Sequence, residues 1–75
     1  MFVFVPLAKR KRQGLRLKLT IVARGMSIKI FAASIGVSRQ AVYDYFSGKY
    51  RPHSDLHKQI AELLGVSEDF LFGNA

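Results

Sequence analysis

The stretch that decides the fold is residues 28–47, which read IKIFAASIGVSRQAVYDYFS. Apolar residues recur at helical spacing on both sides of Gly36, which predicts one helix over Ile28–Ile35 and another over Arg39–Phe46. Glycine adopts the positive φ that a tight turn between two crossing helices requires. A small residue is needed where the first helix touches the second, and Ala32 meets that need. The apolar contact between the helices is predicted from Ile35, Val37, Val42 and Tyr45.

At about 100° per residue, the second helix separates into two faces. An apolar arc faces the protein, and a polar arc on the other side carries Arg39, Gln40, Tyr43, Asp44 and Ser47. An arginine can bond O6 and N7 of guanine, a glutamine can bond N6 and N7 of adenine, and an aspartate can accept from N4 of cytosine. Any solvated helix also has a polar face. The position of this one after a tight turn, in a basic half of the chain, favours contact with DNA bases.

The formal charge of +7 is distributed unevenly along the 75 residues. Residues 1–43 contain nine basic and no acidic side chains, whereas residues 44–75 contain three basic and five acidic ones. The basic half indicates either a polyanionic partner, such as nucleic acid or an anionic membrane, or a solvated surface. Since no segment is long and apolar enough to span a bilayer, we expect no membrane partner.

Residues 1–14 differ in character from the rest of the chain. They combine an apolar start, Pro6 and Gly14 with a run of four basic residues, Lys9, Arg10, Lys11 and Arg12. We predict that this segment is a basic N-terminal arm outside the domain. The four basic residues either touch DNA or form a solvated, charged tail.

The next segment, from Leu15 to Arg24, allows two interpretations. Its apolar residues fit a helix that ends at Gly25, which is the interpretation we favour. They also alternate like a strand. In that alternative, a short strand over Phe2–Val5 pairs with Leu15–Leu19.

The turns that follow have residues suited to helix ends. Pro52 and Ser54 open a helix over Asp55–Leu64, and Ser67 can cap a short one over Glu68–Phe72, whose two acids lie at its positive end. The buried stripe of the longer helix is predicted from Leu56, Ile60, Leu63 and Leu64. Because these signals agree with one another, the sequence predicts an all-α fold with a helix-turn-helix DNA-binding domain over residues 15–75.

At these positions the sequence resembles the lambda-repressor and Cro type of helix-turn-helix domain. The resemblance covers about residues 15–73 and rests on Phe31-Ala32, Gly36-Val37-Ser38, Val42, Tyr45, Gly48-Lys49-x-Arg51-Pro52, Leu56, Ile60-Ala61-x-x-Leu64-Gly65-Val66-Ser67 and Leu71-Phe72-Gly73. It implies a compact five-helix domain that binds double-stranded DNA. It also implies base contacts from Ser38, Arg39, Gln40, Tyr43, Asp44 and Ser47. One departure is Ile28, where this family often has a glutamine that contacts phosphate; the neighbouring Lys29 can replace that contact.

Contacts to DNA phosphates position a protein on the duplex without reading its sequence. We expect them at the start of the first motif helix and directly after the second, from Ser27, Lys29, Lys49, Tyr50 and Arg51. At Ser27 the donors are the backbone N–H groups that follow it. For the loop residues, the alternative is ordinary solvation.

Other kinds of site find little support in the composition. The absence of cysteine excludes disulfides and cysteine-ligated zinc, and suits a reducing cytoplasm. His53 and His57 are four residues apart but lack a third metal ligand. No acid–base pair in an evident cleft is indicated either. We therefore expect neither an enzyme nor a cofactor or metal.

The function we expect is sequence-specific binding of double-stranded DNA by a cytoplasmic transcription regulator. The small size suits a homodimeric repressor of phage or mobile-element type that blocks polymerase at its operator. One alternative is an architectural or recombination-accessory protein, which would give a sequence-insensitive footprint. Another is an antitoxin-like interaction module that binds a partner protein through Phe2–Val5 or Phe70–Phe72, and co-purification of that partner would reveal it.

Overall fold

The computed structural model describes residues 7–73, which form five α-helices. In chain order these are α1 (Leu7–Ala23), α2 (Ile28–Ile35), α3 (Arg39–Ser47), α4 (Ser54–Leu64) and α5 (Glu68–Phe72). Within the described range no residue is in a strand. The predicted all-α, five-helix fold is confirmed.

The two helices around Gly36 begin and end as their capping residues predict. The hydroxyls of Ser27 and Ser38 each accept a bond from a first-turn N–H, at 3.1 Å, from Ile30 and Ala41 respectively. Gly36 has φ of +74° and directs its own N–H to carbonyls of α2. The bounds of α2 agree with the prediction, and α3 continues one residue further than predicted, to Ser47.

The last two helices also follow their sequence signals. α5 has the predicted bounds, and the Ser67 hydroxyl accepts a bond from the Phe70 N–H at 3.0 Å. α4 starts at Ser54, one residue early, after an N-cap His53 whose side chain makes no capping bond.

The expected boundary between an arm and a domain at residues 14 and 15 does not hold for the described residues. Residues 7–14, including Lys9–Arg12, form the first two turns of α1. The alternative strand is likewise wrong for Leu15–Leu19, which is helical. Its partner, Phe2–Val5, lies outside the described residues, as does the rest of residues 1–6.

Gly14 explains why this part of α1 belongs to the domain. A Cβ atom at this position would overlap the backbone carbonyl oxygens of Tyr45 and Phe46 in α3. Glycine is therefore the residue that lets the two helix backbones approach each other, and it does not break the helix. Arginine, lysine, glutamine and leucine, which surround it, are good helix formers and offset the propensity cost of one glycine.

The core draws on all five helices, and the most extensive contact between helices is that of α1 with α3. Ala32 is 2% exposed, as expected for the small residue at the helix crossing. The largest fully buried side chains are Phe31, Leu17, Ile21, Ile60, Leu64, Leu71 and Val42. In the predicted stripe of α4, Ile60 and Leu64 are buried, whereas Leu56 and Leu63 pack at its edge.

Candidate nucleic-acid interface

Helix α3 presents the predicted reading residues on one side. Val42 is fully buried against the core, and this fixes the rotation of the helix about its axis. Four polar residues point to solvent as a result, and a fifth, Asp44, is half-buried; the exposed ones are Arg39, Gln40, Tyr43 and Ser47. The structure therefore brings the predicted base-reading set together on one accessible face. Their contacts with bases stay predictions.

Hydrogen bonds within α3 hold part of this face in place. The Gln40 amide Nε2 donates to Asp44 Oδ1 at 3.1 Å, and the Ser47 hydroxyl donates to the Asp44 carbonyl at 3.1 Å. Gln40 keeps its amide oxygen and a second N–H for a base edge, because an amide has two donors and an acceptor. Tyr43, 52% exposed, is steadied by an edge-on contact with Phe46, whose ring centroid is 6.1 Å away.

The serines at the starts of α2 and α3 can serve two partners. Each hydroxyl of Ser27 and Ser38 accepts its capping bond and still has a proton to donate. A phosphate or base acceptor can take that proton while the cap remains intact. Lys29, in the first turn of α2, is exposed beside the Ser27 cap. The helix N-terminus itself favours an anion there.

The segment after α3 holds Lys49 and Tyr50 at the surface. Both residues are exposed, and the Lys49 ammonium lies 5.5 Å from the centroid of the Tyr50 ring. The carbonyl of Lys49 accepts a bond from the Arg10 guanidinium at 3.3 Å, which ties this segment to α1. Phosphate contacts from Lys49 and Tyr50 stay predictions, in a position next to the reading helix.

Arg51 points into the domain, in contrast to its two predecessors. Its Nε donates to Gln13 Oε1 at 3.1 Å, and its Nη2 approaches the carbonyl of Phe72 at 3.5 Å. Gln13 is 6% exposed and donates to the same Phe72 carbonyl at 3.1 Å. Arg51 therefore connects the segment after α3 to both α1 and α5. A phosphate contact from Arg51 stays a prediction, and it competes with these internal bonds.

The basic run of α1 is divided between two environments. Arg10 and Lys11 lie against Gly48, where a Cβ atom would come within 3.0 Å of the Lys11 backbone nitrogen. Arg10 is half-buried, whereas Arg12 is exposed and lines a groove on another side of α1. Gln13 and Gly48, for which no role at this site was predicted from the sequence, also contribute to holding α1 against it.

Two titratable side chains have altered pKa values. Burial, reinforced by the nearby Asp44 carboxylate, raises the pKa of Tyr45, so this phenol stays neutral beside the reading face. Burial is also the main cause that lowers the pKa of His57. The His57 ring stacks on Phe72 with centroids 4.0 Å apart, and its Nε2 lies 3.1 Å from the Pro52 carbonyl.

Residues 7–73 contain neither a candidate metal site nor a helix that could span a membrane. No group of three or more histidine, cysteine or acidic side chains is placed to hold a metal ion in this range. No described helix has the length and apolarity that crossing a bilayer requires.

A family model described as helix-turn-helix matches residues 8–71. The chain belongs to the helix-turn-helix family of lambda-repressor and Cro type. Domains of this helix-turn-helix family bind DNA and regulate transcription, and the chain is accordingly a DNA-binding domain of that kind. The match starts within the first turn of α1, which agrees with the placement of residues 8–14 inside the domain. Neither a curated protein nor a solved structure matches the chain.

Proposed function

We propose that this helix-turn-helix protein is a sequence-specific repressor that binds double-stranded DNA through α3. The observation that carries the proposal is the exposed polar face of α3, with Val42 buried behind it. Arg39 and Gln40 lie in the first turn, directly after the Ser38 cap. In domains that place a helix in the major groove, this first turn is the part that reaches base edges.

Phosphate binding on both sides of α3 completes the proposed interface. The start of α2 offers Lys29 and the free N–H groups near Ser27, and the segment after α3 offers Lys49 and Tyr50. Lys11 stands beside this segment through its contact with Gly48. Such contacts fix the register of the protein on the duplex, so that α3 meets a defined set of base pairs.

The repressor acts as a homodimer and works by occlusion. One domain reads only a few base pairs, so useful specificity requires two half-sites about one helical turn apart. Occlusion requires only that the protein occupies promoter DNA, which the exposed face of α3 and the phosphate contacts beside it would allow. A cytoplasmic protein of phage or mobile-element type suits these features.

Selection of bound sequences from a random pool of DNA duplexes tests the proposal. We expect an enriched two-fold symmetric site whose half-site centres are about 10 base pairs apart. Analytical ultracentrifugation on that site should give two chains per duplex at saturation. If no sequence is enriched, the protein does not bind DNA sequence-specifically. If one chain binds per duplex, the proposed dimer is wrong, although base reading by α3 can still hold.

A further inference from the structure

A groove of about 660 Å³ lies between α1 on one side and Val66 and Phe70, just before and within α5, on the other. Its apolar floor consists of Leu15, Leu19, Ala23, Val66 and Phe70. No residue of α2, α3 or the segment between α3 and α4 lines it. The groove therefore uses a different face of α1 from the one that packs on α3.

The floor of this groove leaves large apolar side chains in solvent. Leu15 is 55% exposed, Leu19 59% and Phe70 48%. Single exposed apolar residues are common, but a contiguous set rimmed by polar groups marks a binding surface. Leu15, Leu19 and Ala23 follow one another at four-residue spacing, so they form a continuous ridge along α1.

A second ridge on α1 gives the groove a positive rim. Arg12, Arg16 and Arg24 follow a four-residue spacing, with Thr20 between the last two, and all of them line the groove. Arg16 donates to the Phe70 carbonyl at 2.7 Å, and its guanidinium lies 5.3 Å from the Phe70 ring centroid. Arg24 Nη2 approaches the Gly65 carbonyl at 3.5 Å. Because these partners are neutral carbonyls, they orient the guanidiniums without neutralising their charge.

We propose that the groove binds an acidic, amphipathic α-helix of a partner protein. From Arg12 to Arg24 the rim extends about 18 Å along α1, which matches about three turns of a docked helix. Apolar side chains at i, i+3, i+4 and i+7 would cover the Leu15 and Leu19 ridge, as in other helix-in-groove complexes. Carboxylates flanking that stripe would meet the guanidiniums, and Arg–carboxylate pairs are among the stronger polar contacts.

Charge decides between this partner and a second copy of the chain. Two copies that met groove to groove would bring the three arginines of each rim, six in all, into one interface. Like charges juxtaposed across an interface oppose association. An acidic helix turns the same rim into an attraction, and it can bind while α3 remains free for DNA.

The test uses a fluorescein-labelled helical peptide of about 14 residues, with leucines at i, i+3, i+4 and i+7 and glutamates elsewhere. A matched peptide carries lysines in place of the glutamates. Fluorescence anisotropy with the full chain should show the acidic peptide binding at least about tenfold more tightly, with an affinity that falls as salt increases.

Two variants on the floor of the groove, Leu19→Glu and Leu15→Glu, should each reduce the affinity for the acidic peptide by about tenfold or more. Both residues are exposed helical positions, so the fold should persist, and melting curves check this. The matched control is Ile30→Glu, which alters an equally exposed apolar residue outside the groove. Leu19→Glu should also keep its affinity for operator DNA, which separates this proposal from the proposed repressor function.

Four results would overturn the proposal. The first two are equal binding of both peptides, and no binding of the acidic peptide at up to about 1 mM. The third is a DNA-free dimer that Leu19→Glu dissociates, which would assign the groove to a second copy. The fourth is a large gain in peptide affinity when residues 1–6 are deleted, which would assign it to the chain itself.

Discussion

Arg39 illustrates how a single residue is prepared for its proposed task. It is exposed in the first turn of α3, directly after a capping serine that fixes where the helix starts. Its neighbour Gln40 is already held by Asp44, whereas the structure leaves the Arg39 side chain in solvent. A guanidinium in this position can donate two hydrogen bonds to one guanine, at O6 and N7.

We expect Arg39→Ala to weaken binding to the selected operator by about 1–3 kcal/mol and to relax preference at one base pair. Titrations on operator and scrambled duplexes measure both effects. Lys49→Ala is the control, because the loss of a phosphate contact should weaken binding to both duplexes by the same amount. Equal losses for Arg39→Ala on the two duplexes would make Arg39 a phosphate contact instead.

His57 gives the fold a dependence on pH. Its pKa is lowered, chiefly by burial, so the unfolded chain binds a proton more readily than the folded one. Stability therefore rises with pH in the range between the two pKa values. It falls on acidification through the ordinary histidine pKa of about 6.5, and the loss is complete below the folded-state pKa.

We expect His57→Gln to reduce this pH dependence, measured by urea unfolding from about pH 7.5 to about pH 5. The matched control is His53→Gln, at an exposed position four residues away. Its free energy of unfolding should change with pH as that of the parent does. If His57→Gln unfolds with the parent's full pH dependence, His57 is not the source of that dependence.

At the scale of helices, the backbone approach of α1 to α3 places the reading helix. Gly14 has no room for a Cβ atom against the Tyr45 and Phe46 carbonyls, and at Gly48 a Cβ atom would come within 3.0 Å of Lys11. Two glycines, one on each side, thus set the distance between the helices. The orientation of the DNA-facing residues depends on that distance.

Gly14→Ala should therefore destabilise the protein, although alanine favours a helix by about 1 kcal/mol over glycine. The overlap with backbone atoms cannot be relieved by a rotamer change, and overpacking of this kind costs about 1–3 kcal/mol. A thermal melt measures it. Lys18→Ala, at an exposed position of the same helix, should melt near the parent. An equal or higher melting temperature for Gly14→Ala would show that α1 can shift away from α3 at little cost.

The helices whose bounds were predicted most closely differ from the first two turns of α1 in their sequence signals. α2, α3 and α5 each start at a serine cap and bury apolar residues at helical spacing. The sequence therefore shows both where these helices begin and which face is buried. The first two turns of α1 bury Gln13 and Gly14, a polar residue and one without a side chain. No apolar period marks that face. The partners that explain it, Arg51 and the α3 carbonyls, are distant in sequence.

The same reasoning applies to the candidate site. The face of α3 could be read from a helical wheel, because Val42 and the polar residues alternate with the helix period. The inward direction of Arg51 could not be predicted, since an arginine shortly after the reading helix also suits a phosphate contact. Its role depends on Gln13, 38 positions earlier in the chain.

For the whole molecule, the charge asymmetry becomes a division between surfaces. Lys11 stands with Lys49 beside α3, whereas Arg12 and Arg16 lie on the groove side of α1. Of the basic run, Lys11 is the exposed residue placed nearest the proposed DNA interface. The salt dependence of DNA binding should therefore respond to it.

We expect Lys11→Gln to reduce the magnitude of the slope of log K against log salt by about 0.9 per chain. Lys58→Gln, an exposed lysine of α4, serves as the control and should leave the slope unchanged. Removal of residues 1–12 should instead impair folding, because it deletes the start of α1 and the bond from Arg10 to Lys49. If the truncated chain melts like the parent, the start of α1 is not needed for folding. If Lys11→Gln leaves the slope unchanged, Lys11 is a solvated surface residue and does not contact phosphate.

The bond from Gln13 to the Phe72 carbonyl joins positions 59 apart and brings the first helix against the last. Leu7 is six residues before Gln13 in α1, or about 9 Å along its axis. A linker of about six to eight residues could therefore join Gly73 to Leu7. New termini could open at the Gly25 turn, which is exposed and has nothing packed against the glycine. The fold should thus tolerate circular permutation, with α1 moved to the end of the chain and its contacts with α3 and α5 retained.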